Sequence, residues 1–287
     1  VVIGGGTAGL VAAIAAAGLG ARVALVERDR TGGDCLWTGC VPSKTLIDVA
    51  RRAHEMRTAR QVGLTGADEP VDLARVMRHV QAARAALEHH DSPERLRRDG
   101  VEVVEGPGRF VAPGIVAVGA RRLHYRKALV ATGSTPTVPD LLRQASSVPL
   151  TSETVWDLTE LPERLVVVGG GAVGCELAQA FQRLGSRVTL VEAAGRLLPS
   201  YDADASAVVD AVLRAEGVAV RLSSRVTGVS PGAVTIAGTH AGSTGYDRLL
   251  VCVGRRPRKK ASTITIPMTA RNSSGTSGEM PRASPLR

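Results

Sequence analysis

Aromatic residues and long apolar runs are both scarce in this chain of 287 residues. Only seven residues are Phe, Trp or Tyr, so a hydrophobic core has to be built mainly from Val, Leu, Ala and Ile. No apolar run reaches the roughly 20 residues that a membrane-spanning helix needs, so we expect no membrane partner. Residues 1–27 are apolar, but glycines interrupt them and charges end them, which is unlike a signal peptide.

Cysteine is also scarce, with four residues in the whole chain. Without a secretion signal this number favours a reducing compartment, where a cysteine pair is more often catalytic than structural. We therefore predict a cytoplasmic location. The sequence has no initiator Met and starts within an apolar run, so we expect the natural N-terminus to lie further upstream.

The net charge of +9 is distributed unevenly. Residues 258–287 hold six basic residues and one acidic residue, whereas the preceding part holds 30 and 26. A nucleic-acid-binding protein would show a basic patch with aromatic residues or a known reading motif. Neither is present, and we predict no nucleic-acid partner. Because residues 258–287 are rich in Ser, Thr, Arg and Pro without any period, we predict a disordered tail.

An internal repeat sets the architecture. Residues 1–27 and 166–192 align without a gap at an offset of 165, and 15 of 27 positions are identical. Each copy has an apolar run, a G-x-G-x-x-G turn, a helical stretch, a second apolar run and a closing acid. This combination is typical of a β-α-β dinucleotide-binding unit. The repeat predicts an α/β fold with two Rossmann-like nucleotide-binding domains.

Each position of the repeated motif has its own physical role. The first glycine permits a tight turn, the second lets a pyrophosphate approach the backbone, and the third allows close helix–strand packing. The helix N-terminus offers free N–H groups to the phosphates, and the closing acid accepts hydrogen bonds from ribose hydroxyls. In the two copies these residues are Gly4 and Gly169, Gly6 and Gly171, Gly9 and Gly174, and Glu27 and Glu192.

A cysteine-containing segment follows the first repeat and runs from Gly33 to Lys44. Its two cysteines, Cys35 and Cys40, have the wrong spacing for a zinc knuckle, and no second pair follows nearby. They suit a disulfide that opens and closes beside a cofactor, although two ordinary buried cysteines are an alternative. Pro42 favours the first turn of a helix, so Cys40 is predicted at a helix N-terminus, where the dipole stabilises a thiolate. Lys44 adds a positive charge there.

The sequence between the two repeats indicates where one domain ends and the next begins. Short alternating runs between residues 101 and 125 predict a meander of strands. Residues 128–131 predict a buried strand that ends in Thr132, Gly133 and Ser134, which are small enough for a cofactor to approach the backbone. Prolines at 136, 139 and 149 mark a crossing. We predict a first nucleotide-binding domain at 1–148 and a second at 149–257.

Two nucleotide sites with a cysteine pair suggest an electron relay from a nicotinamide through a flavin to a dithiol. The first copy is the predicted flavin site, because the cysteine segment follows it directly. The carboxylate of Glu192 favours NAD over NADP, since it would repel a 2′-phosphate. Cys175 and Cys252 match no redox motif. Cys175 follows Gly174 at a helix start, where a lowered pKa is one alternative, and a buried structural cysteine is the prediction.

Five motifs carry a family resemblance. The chain resembles the flavin-dependent pyridine nucleotide–disulfide oxidoreductases, in the dihydrolipoamide dehydrogenase and mercuric reductase branch. The resemblance implies that Cys35 is the interchange thiol and Cys40 the charge-transfer thiol at the flavin. The motifs are GGGTAG at 4–9, GGDCLWTGCVPSK at 32–44, ATGSTP at 131–136, GGGAVGCE at 169–176 and VGRRP at 253–257.

Further roles also come from this resemblance. Lys44 is expected near the flavin, where it would pair with Glu176 across the two domains. Gly108 is expected to place its backbone against the adenine of FAD. Val226 and Gly254 are expected to line the nicotinamide nucleotide.

The chain also departs from that family's pattern. Family members continue past residue 257 with a Gly-Asp strand that completes the FAD site, and with a dimerisation domain that carries a His–Glu pair. Here the only Gly-Asp is Gly33-Asp34, and no His follows His240. We therefore expect an incomplete FAD domain and no dimerisation domain, although the family is homodimeric.

Three hypotheses for function follow. The first is an NAD(P)H-dependent flavoprotein disulfide reductase, and the second is a nucleotide-binding remnant without turnover. The third is a flavoprotein that uses no thiol, against which the intact Cys35–Cys40 pair argues. The final acceptor stays open among lipoamide, Hg(II), a small disulfide and a quinone.

Overall fold

The computed structural model describes residues 1–66, 69–145 and 147–258. Each sequence repeat forms the centre of a four-stranded parallel sheet. The predicted tail lies, except for Arg258, outside the described residues. The first part of the chain contains β1 (Val2–Ile3), α1 (Thr7–Gly18), β2 (Val23–Glu27), α2 (Gly33–Trp37), α3 (Cys40–Thr58), α4 (Leu73–Glu88), α5 (Pro93–Arg98), β3 (Val101–Glu105), β4 (Gly108–Ala112), β5 (Ile115–Val118), β6 (Arg121–His124) and β7 (Leu129–Val130).

The second part repeats the same plan. Its sheet is preceded and followed by two short strands, β8 and β16, that pair with each other. The elements are β8 (Ser134–Pro136), β9 (Arg164–Val168), α6 (Ala172–Leu184), β10 (Arg187–Val191), α7 (Ala203–Ala215), β11 (Ala219–Arg221), β12 (Ser224–Ser230), β13 (Ala233–Gly238), β14 (Gly242–Gly245), β15 (Arg248–Val251) and β16 (Arg255–Pro257).

The first sheet has the order β3-β2-β1-β7, and all its strands are parallel. Helix α1 crosses from β1 to β2 and packs Leu10 and Ala13 against one face of the sheet. The antiparallel strands β4, β5 and β6 cover the other face with Val116 and Val118, which are buried. Aliphatic side chains build both layers, as the scarcity of aromatic residues requires.

The second sheet has the corresponding order β11-β10-β9-β15. Helix α6 buries Leu177, Phe181 and Leu184 against one face, and its spacing of apolar residues at i, i+4 and i+7 is that of an amphipathic helix. The meander β12-β13-β14 covers the other face with Val234 and Ile236. The two units therefore agree in topology as well as in sequence.

The outer edges of the two sheets differ. In the second unit, Leu150 lies beside β15: its N–H donates to Leu249 O at 2.8 Å, and Val251 N–H donates to its carbonyl at 2.8 Å. In the part of the chain that the structure describes, no segment pairs with the outer edge of β7. Leu129 and Val130 are accordingly 42% and 47% exposed. The prediction of a buried strand here is wrong in its burial, because the strand has a neighbour on one side only.

The two predicted domains share one core. Helix α3 packs on α6, and the largest apolar cluster joins Leu46 of α3 and Val80 of α4 to Trp156 and Phe181. Helices that the sequence assigns to the first domain therefore bury their apolar faces against the second. No helix in the described ranges combines the length and apolarity of a membrane span.

Candidate functional site

The first glycine turn has the close contacts that its motif predicts. Gly4 has a φ of +106°, and a Cβ there would lie 2.2 Å from the carbonyl oxygen of Ala131. A Cβ on Gly9 would lie 1.8 Å from the Gly4 carbonyl oxygen. A Cβ on Gly6 would meet only the Cα of Gly33, at an ordinary contact distance of 3.6 Å, and Gly6 lines the cavity described below. The first and third glycines are required by packing, and the second leaves room for a ligand.

The second glycine turn repeats this geometry. Gly169 has a φ of +107°, and its Cβ would lie 2.5 Å from the carbonyl oxygen of Cys252. A Cβ on Gly174 would lie 1.9 Å from the Gly169 carbonyl oxygen, whereas one on Gly171 would meet nothing within 4 Å. Both turns thus present an open backbone at the N-terminus of a helix, which is where dinucleotide phosphates bind.

The closing acids hold these turns in shape. Glu27 accepts hydrogen bonds from Gly5 N–H at 2.5 Å and from Asp29 N–H at 2.9 Å. Glu192 accepts the equivalent bonds from Gly170 N–H at 2.6 Å and from Ala194 N–H at 2.7 Å. Each carboxylate oxygen keeps a second lone pair, so the predicted bond to a ribose hydroxyl stays a prediction.

The cysteine-containing segment from Gly33 to Lys44, called the redox segment below, is attached directly to the first glycine turn. Gly32 N–H donates to the carbonyl of Gly5 at 2.9 Å. Gly33 has a φ of +55°, and a Cβ on it would lie 2.5 Å from the Cα of Gly6. The glycines before Cys35 therefore serve a backbone-to-backbone contact that no side chain would permit.

The two cysteines lie at the starts of successive helices. Cys35 belongs to the short helix α2, and α3 begins at Cys40, as predicted. Both are free thiols. Burial raises the pKa of Cys35, the neighbouring Cys40 thiol raises it further, and the hydroxyl of Thr7 lowers it by hydrogen bonding. Cys35 therefore lies beside Thr7, the first residue of α1, directly after the glycine turn.

The exposure of the two thiols runs opposite to the roles implied by the family resemblance. Cys40, which was expected to face the flavin, is exposed, whereas Cys35 is half-buried and lines the cavity described below. The assignment of Cys35 as interchange thiol and Cys40 as charge-transfer thiol stays a prediction.

Both tryptophans of the chain hold the redox segment in place. Trp37 donates its indole N–H to Thr31 O at 2.7 Å. Trp156, from the second unit, donates to Thr38 O at 3.0 Å, between the two cysteines. Sequence reasoning did not find this role for Trp156, because 118 residues separate it from Thr38.

A cavity of about 500 Å³ opens beside the first glycine turn and the redox segment. Its size lies within the range of roughly 300–1,000 Å³ for small-molecule and cofactor sites. Its open glycine backbone, positioned at the start of α1, fits a dinucleotide. Among the predicted site residues, the lining includes Gly4, Gly6, Glu27, Gly33, Cys35, Gly108, Thr132 and Gly133.

The predicted pair of Lys44 and Glu176 does not form. Each is the fifth residue of its helix, α3 and α6 respectively, and both are exposed. In residues 1–66, 69–145 and 147–258, no ion pair within 4.0 Å joins them. An exposed ion pair contributes only about 0–1 kcal/mol, which is too little to fix two long side chains.

The remaining predicted residues have other contacts. Ser134 accepts a hydrogen bond from Arg255 Nε at 2.8 Å, so its hydroxyl is engaged. Val226 packs half-buried against the core between the second sheet and its meander. Gly254 has a φ of +112°, and its carbonyl accepts from Thr137 N–H at 2.9 Å. Their roles at a nicotinamide nucleotide stay predictions.

Cys175 and Cys252 are expected to have low thiol reactivity. Burial raises the pKa of Cys175 to about 11 and that of Cys252 to about 12. A thiol with such a pKa is protonated at neutral pH and reacts slowly. Cys175 is buried, as the prediction of a structural residue requires, whereas Cys252 is half-buried.

Two dinucleotide-binding units with a cysteine pair on the first define a two-nucleotide redox protein. Comparison with known proteins agrees: residues 1–279 match the pyridine nucleotide-disulphide oxidoreductase family, and the chain belongs to it. The resemblance inferred from the five motifs is confirmed. Membership also supports FAD and NAD as the cofactors.

The individual relatives are of two kinds. A mercuric reductase of Lysinibacillus sphaericus is 32% identical over 92% of this chain and 49% of its own length. A dihydrolipoyl dehydrogenase of Bacillus subtilis is 34% identical over 90% of this chain and 58% of its own length. The chain spans about half the length of the curated relatives it matches.

A solved structure shows the same fold. The HOCl-induced flavoprotein disulfide reductase RclA from Escherichia coli superposes with a TM-score of 0.75 at 28% identity. The match covers 91% of this chain and 57% of RclA.

Proposed function

We propose that this chain carries the part of a flavoprotein disulfide reductase that takes electrons from NADH and stores them in the Cys35–Cys40 pair. The observation that carries the proposal is the contact of the redox segment with the first glycine turn, at the edge of a cavity whose volume lies in the range of cofactor sites. The reducing cytoplasm suits a cysteine pair that cycles, and we propose it as the location.

The first unit would hold FAD. The open backbone at Gly6 and the N-terminus of α1 suit its diphosphate, and Glu27 lies at the end of β2 for a ribose. FAD, when bound, supplies a group that takes hydride from a nicotinamide and passes an electron pair to a disulfide. Glu192 in the second unit supports NADH, because its carboxylate repels a 2′-phosphate.

The cysteine pair performs the thiol chemistry. Reduction of the Cys35–Cys40 disulfide takes two electrons and two protons and gives two thiols. With a disulfide acceptor, one cysteine thiolate attacks an acceptor sulfur and displaces the other as a thiolate. The second cysteine then attacks the mixed disulfide, which closes the protein disulfide and releases the reduced acceptor. Lipoamide, a small disulfide, Hg(II) and a quinone remain candidate acceptors.

The exposed edge of β7 favours a second candidate. Leu129 and Val130 are exposed to solvent beside the first glycine turn. A chain with this uncovered sheet edge would bind nucleotides without completing turnover. In that case the cysteine pair is reduced, but disulfide acceptors are not consumed catalytically.

Thiol counting under anaerobic conditions tests the proposal. The purified protein is first oxidised in air so that Cys35 and Cys40 form their disulfide; it is then loaded with FAD, treated with NADH, quenched in denaturant and titrated with a disulfide reagent. Because the chain has four cysteines, we expect two thiols before NADH and four after it. A Cys35→Ser/Cys40→Ser variant should bind FAD and stay at two thiols. A wild-type count that NADH does not change would overturn the proposal, whereas four thiols without acceptor turnover would support the second candidate.

A further inference from the structure

Arg255 reaches from the end of the second unit to the redox segment of the first. Its Nη2 donates to Asp34 Oδ2 at 2.5 Å, its Nε to Ser134 Oγ at 2.8 Å, and its Nη1 to Ser152 Oγ at 3.2 Å. The guanidinium thus uses all three nitrogens, and its side chain is only 33% exposed. A guanidinium that donates hydrogen bonds from all three nitrogens is held in one orientation.

A second carboxylate and a second guanidinium complete this cluster. Glu153 accepts from Arg255 Nη2 at 3.2 Å and lies 3.5 Å from Arg258 Nη2. Asp34, Glu153 and Arg258 all line the cavity of the first unit. Within this cluster of four residues two negative and two positive charges balance, and removal of Arg255 would leave the cluster with an excess negative charge.

The position of Asp34 explains why this charge balance matters for a ligand in the cavity. Asp34 follows Gly33, whose backbone touches Gly6 at the start of α1. Dinucleotide phosphates bind at such a glycine turn because free N–H groups and the helix dipole attract negative charge. A bare carboxylate one residue from this contact would repel the same phosphates.

We propose that Arg255 makes the first cavity acceptable to a dinucleotide diphosphate by neutralising Asp34. Arg255 acts through Asp34, as a positioning and charge-compensating residue, and needs no contact with the ligand. The end of the second unit thereby controls cofactor binding in the first. The proposal rests on the proposed function in one respect, that FAD is the dinucleotide in this cavity.

A series of variants that remove one or both charges separates this role from a merely structural one. If Arg255 only joins the two units, its removal weakens FAD binding whether or not Asp34 is charged. If it neutralises Asp34, removal of the Asp34 charge restores binding. The series consists of wild type, Arg255→Gln, Asp34→Asn and the double variant. Arg164→Gln is the matched control, since Arg164 pairs at 2.7 Å with Asp247 within the second unit.

The measurement is the equilibrium Kd of FAD for the flavin-free protein, from quenching of flavin fluorescence. We expect Arg255→Gln to raise the Kd about tenfold at low salt and less at high salt, because salt screens an electrostatic penalty. Asp34→Asn should bind FAD at least as tightly as wild type. The double variant should return to within about threefold of Asp34→Asn, and Arg164→Gln should match wild type.

The outcomes are distinct. Unchanged binding in Arg255→Gln, or equal weakening in Arg255→Gln and the double variant, overturns the proposal. If Arg255→Gln does not fold, the double variant decides, because it lacks both charges: tight FAD binding supports the proposal and weak binding overturns it. A wild-type protein that does not bind FAD refutes the proposed function itself.

Discussion

Gly33 packs so closely on Gly6 that a Cβ on Gly33 would lie 2.5 Å from the Gly6 Cα. This contact joins the cysteine segment to the nucleotide-binding turn without any side chain between them. Gly33 also has a φ of +55°, which L-residues adopt at a cost. The proposed link between cofactor and thiols therefore depends on a position where only glycine fits.

Gly33→Ala should displace the redox segment from the glycine turn. We expect the free energy of unfolding to fall by about 1–3 kcal/mol from backbone strain and the clash with Gly6. FAD affinity should fall with it. Urea denaturation and flavin fluorescence measure the two effects.

Gly18→Ala is the control for this substitution. Gly18 ends α1, and a Cβ there would meet nothing within 4 Å. We expect it to stabilise the protein by up to about 1 kcal/mol, as alanine does in a helix. Equal stability of the two variants would contradict the contact between Gly33 and Gly6.

Thr7 should increase the reactivity of Cys35. Because its hydroxyl lowers the pKa of Cys35, Thr7→Val should raise that pKa, and less thiolate is present at neutral pH. In a Cys40→Ser background, alkylation at pH 7 should slow by a factor of about three. The rate–pH curve should shift to higher pH and reach the same plateau.

The control for Thr7→Val is Thr58→Val, made in the same background. Thr58 donates to His54 O at 2.9 Å at the end of α3. Its loss should leave the alkylation curve in place. An unchanged curve for Thr7→Val as well would show that the hydroxyl has no effect on the thiol.

The repeat, the glycine turns and the helix start at Cys40 were all predictable because each produces a local pattern. Strands β3, β4, β5 and β6 all lie within residues 101–125, where the sequence predicts a meander, but β3 pairs with β2 in the parallel sheet and only β4, β5 and β6 form the meander. Helix α2 was missed: it has five residues, begins at Gly33 and is too short to show a helical period.

Contacts between residues that are far apart in the sequence produce no local sequence pattern. Arg255 and Asp34 are 221 positions apart, and their ion pair depends on how the two units meet. The exposure of Leu129 was mispredicted for a related reason. An apolar run shows that a strand prefers burial, but its neighbours in the sheet come from elsewhere in the chain.

Cys175 and Cys252 should react slowly in the native protein. With the pKa of Cys175 raised to about 11, its thiolate is about one part in 10³ at pH 8, and that of Cys252 is rarer still. In the Cys35→Ser/Cys40→Ser variant, alkylation should rise about tenfold per pH unit between pH 7 and 9, because the thiolate fraction does. Labelling in urea should be immediate. Fast labelling without urea would contradict the raised pKa of both thiols and the burial of Cys175.

Trp156 should govern the mobility of the backbone between the two cysteines. Trp156→Phe keeps an aromatic ring in the core but removes the bonds to Thr38 O and Ser152 O. We expect the free energy of unfolding to fall by about 1–3 kcal/mol and amide hydrogen exchange near Thr38 to become faster. Phe181→Leu is the matched control, since Phe181 lies in the same apolar cluster and should lose stability without this local effect. If exchange near Thr38 rises equally in both variants, the indole bond does not hold the redox segment.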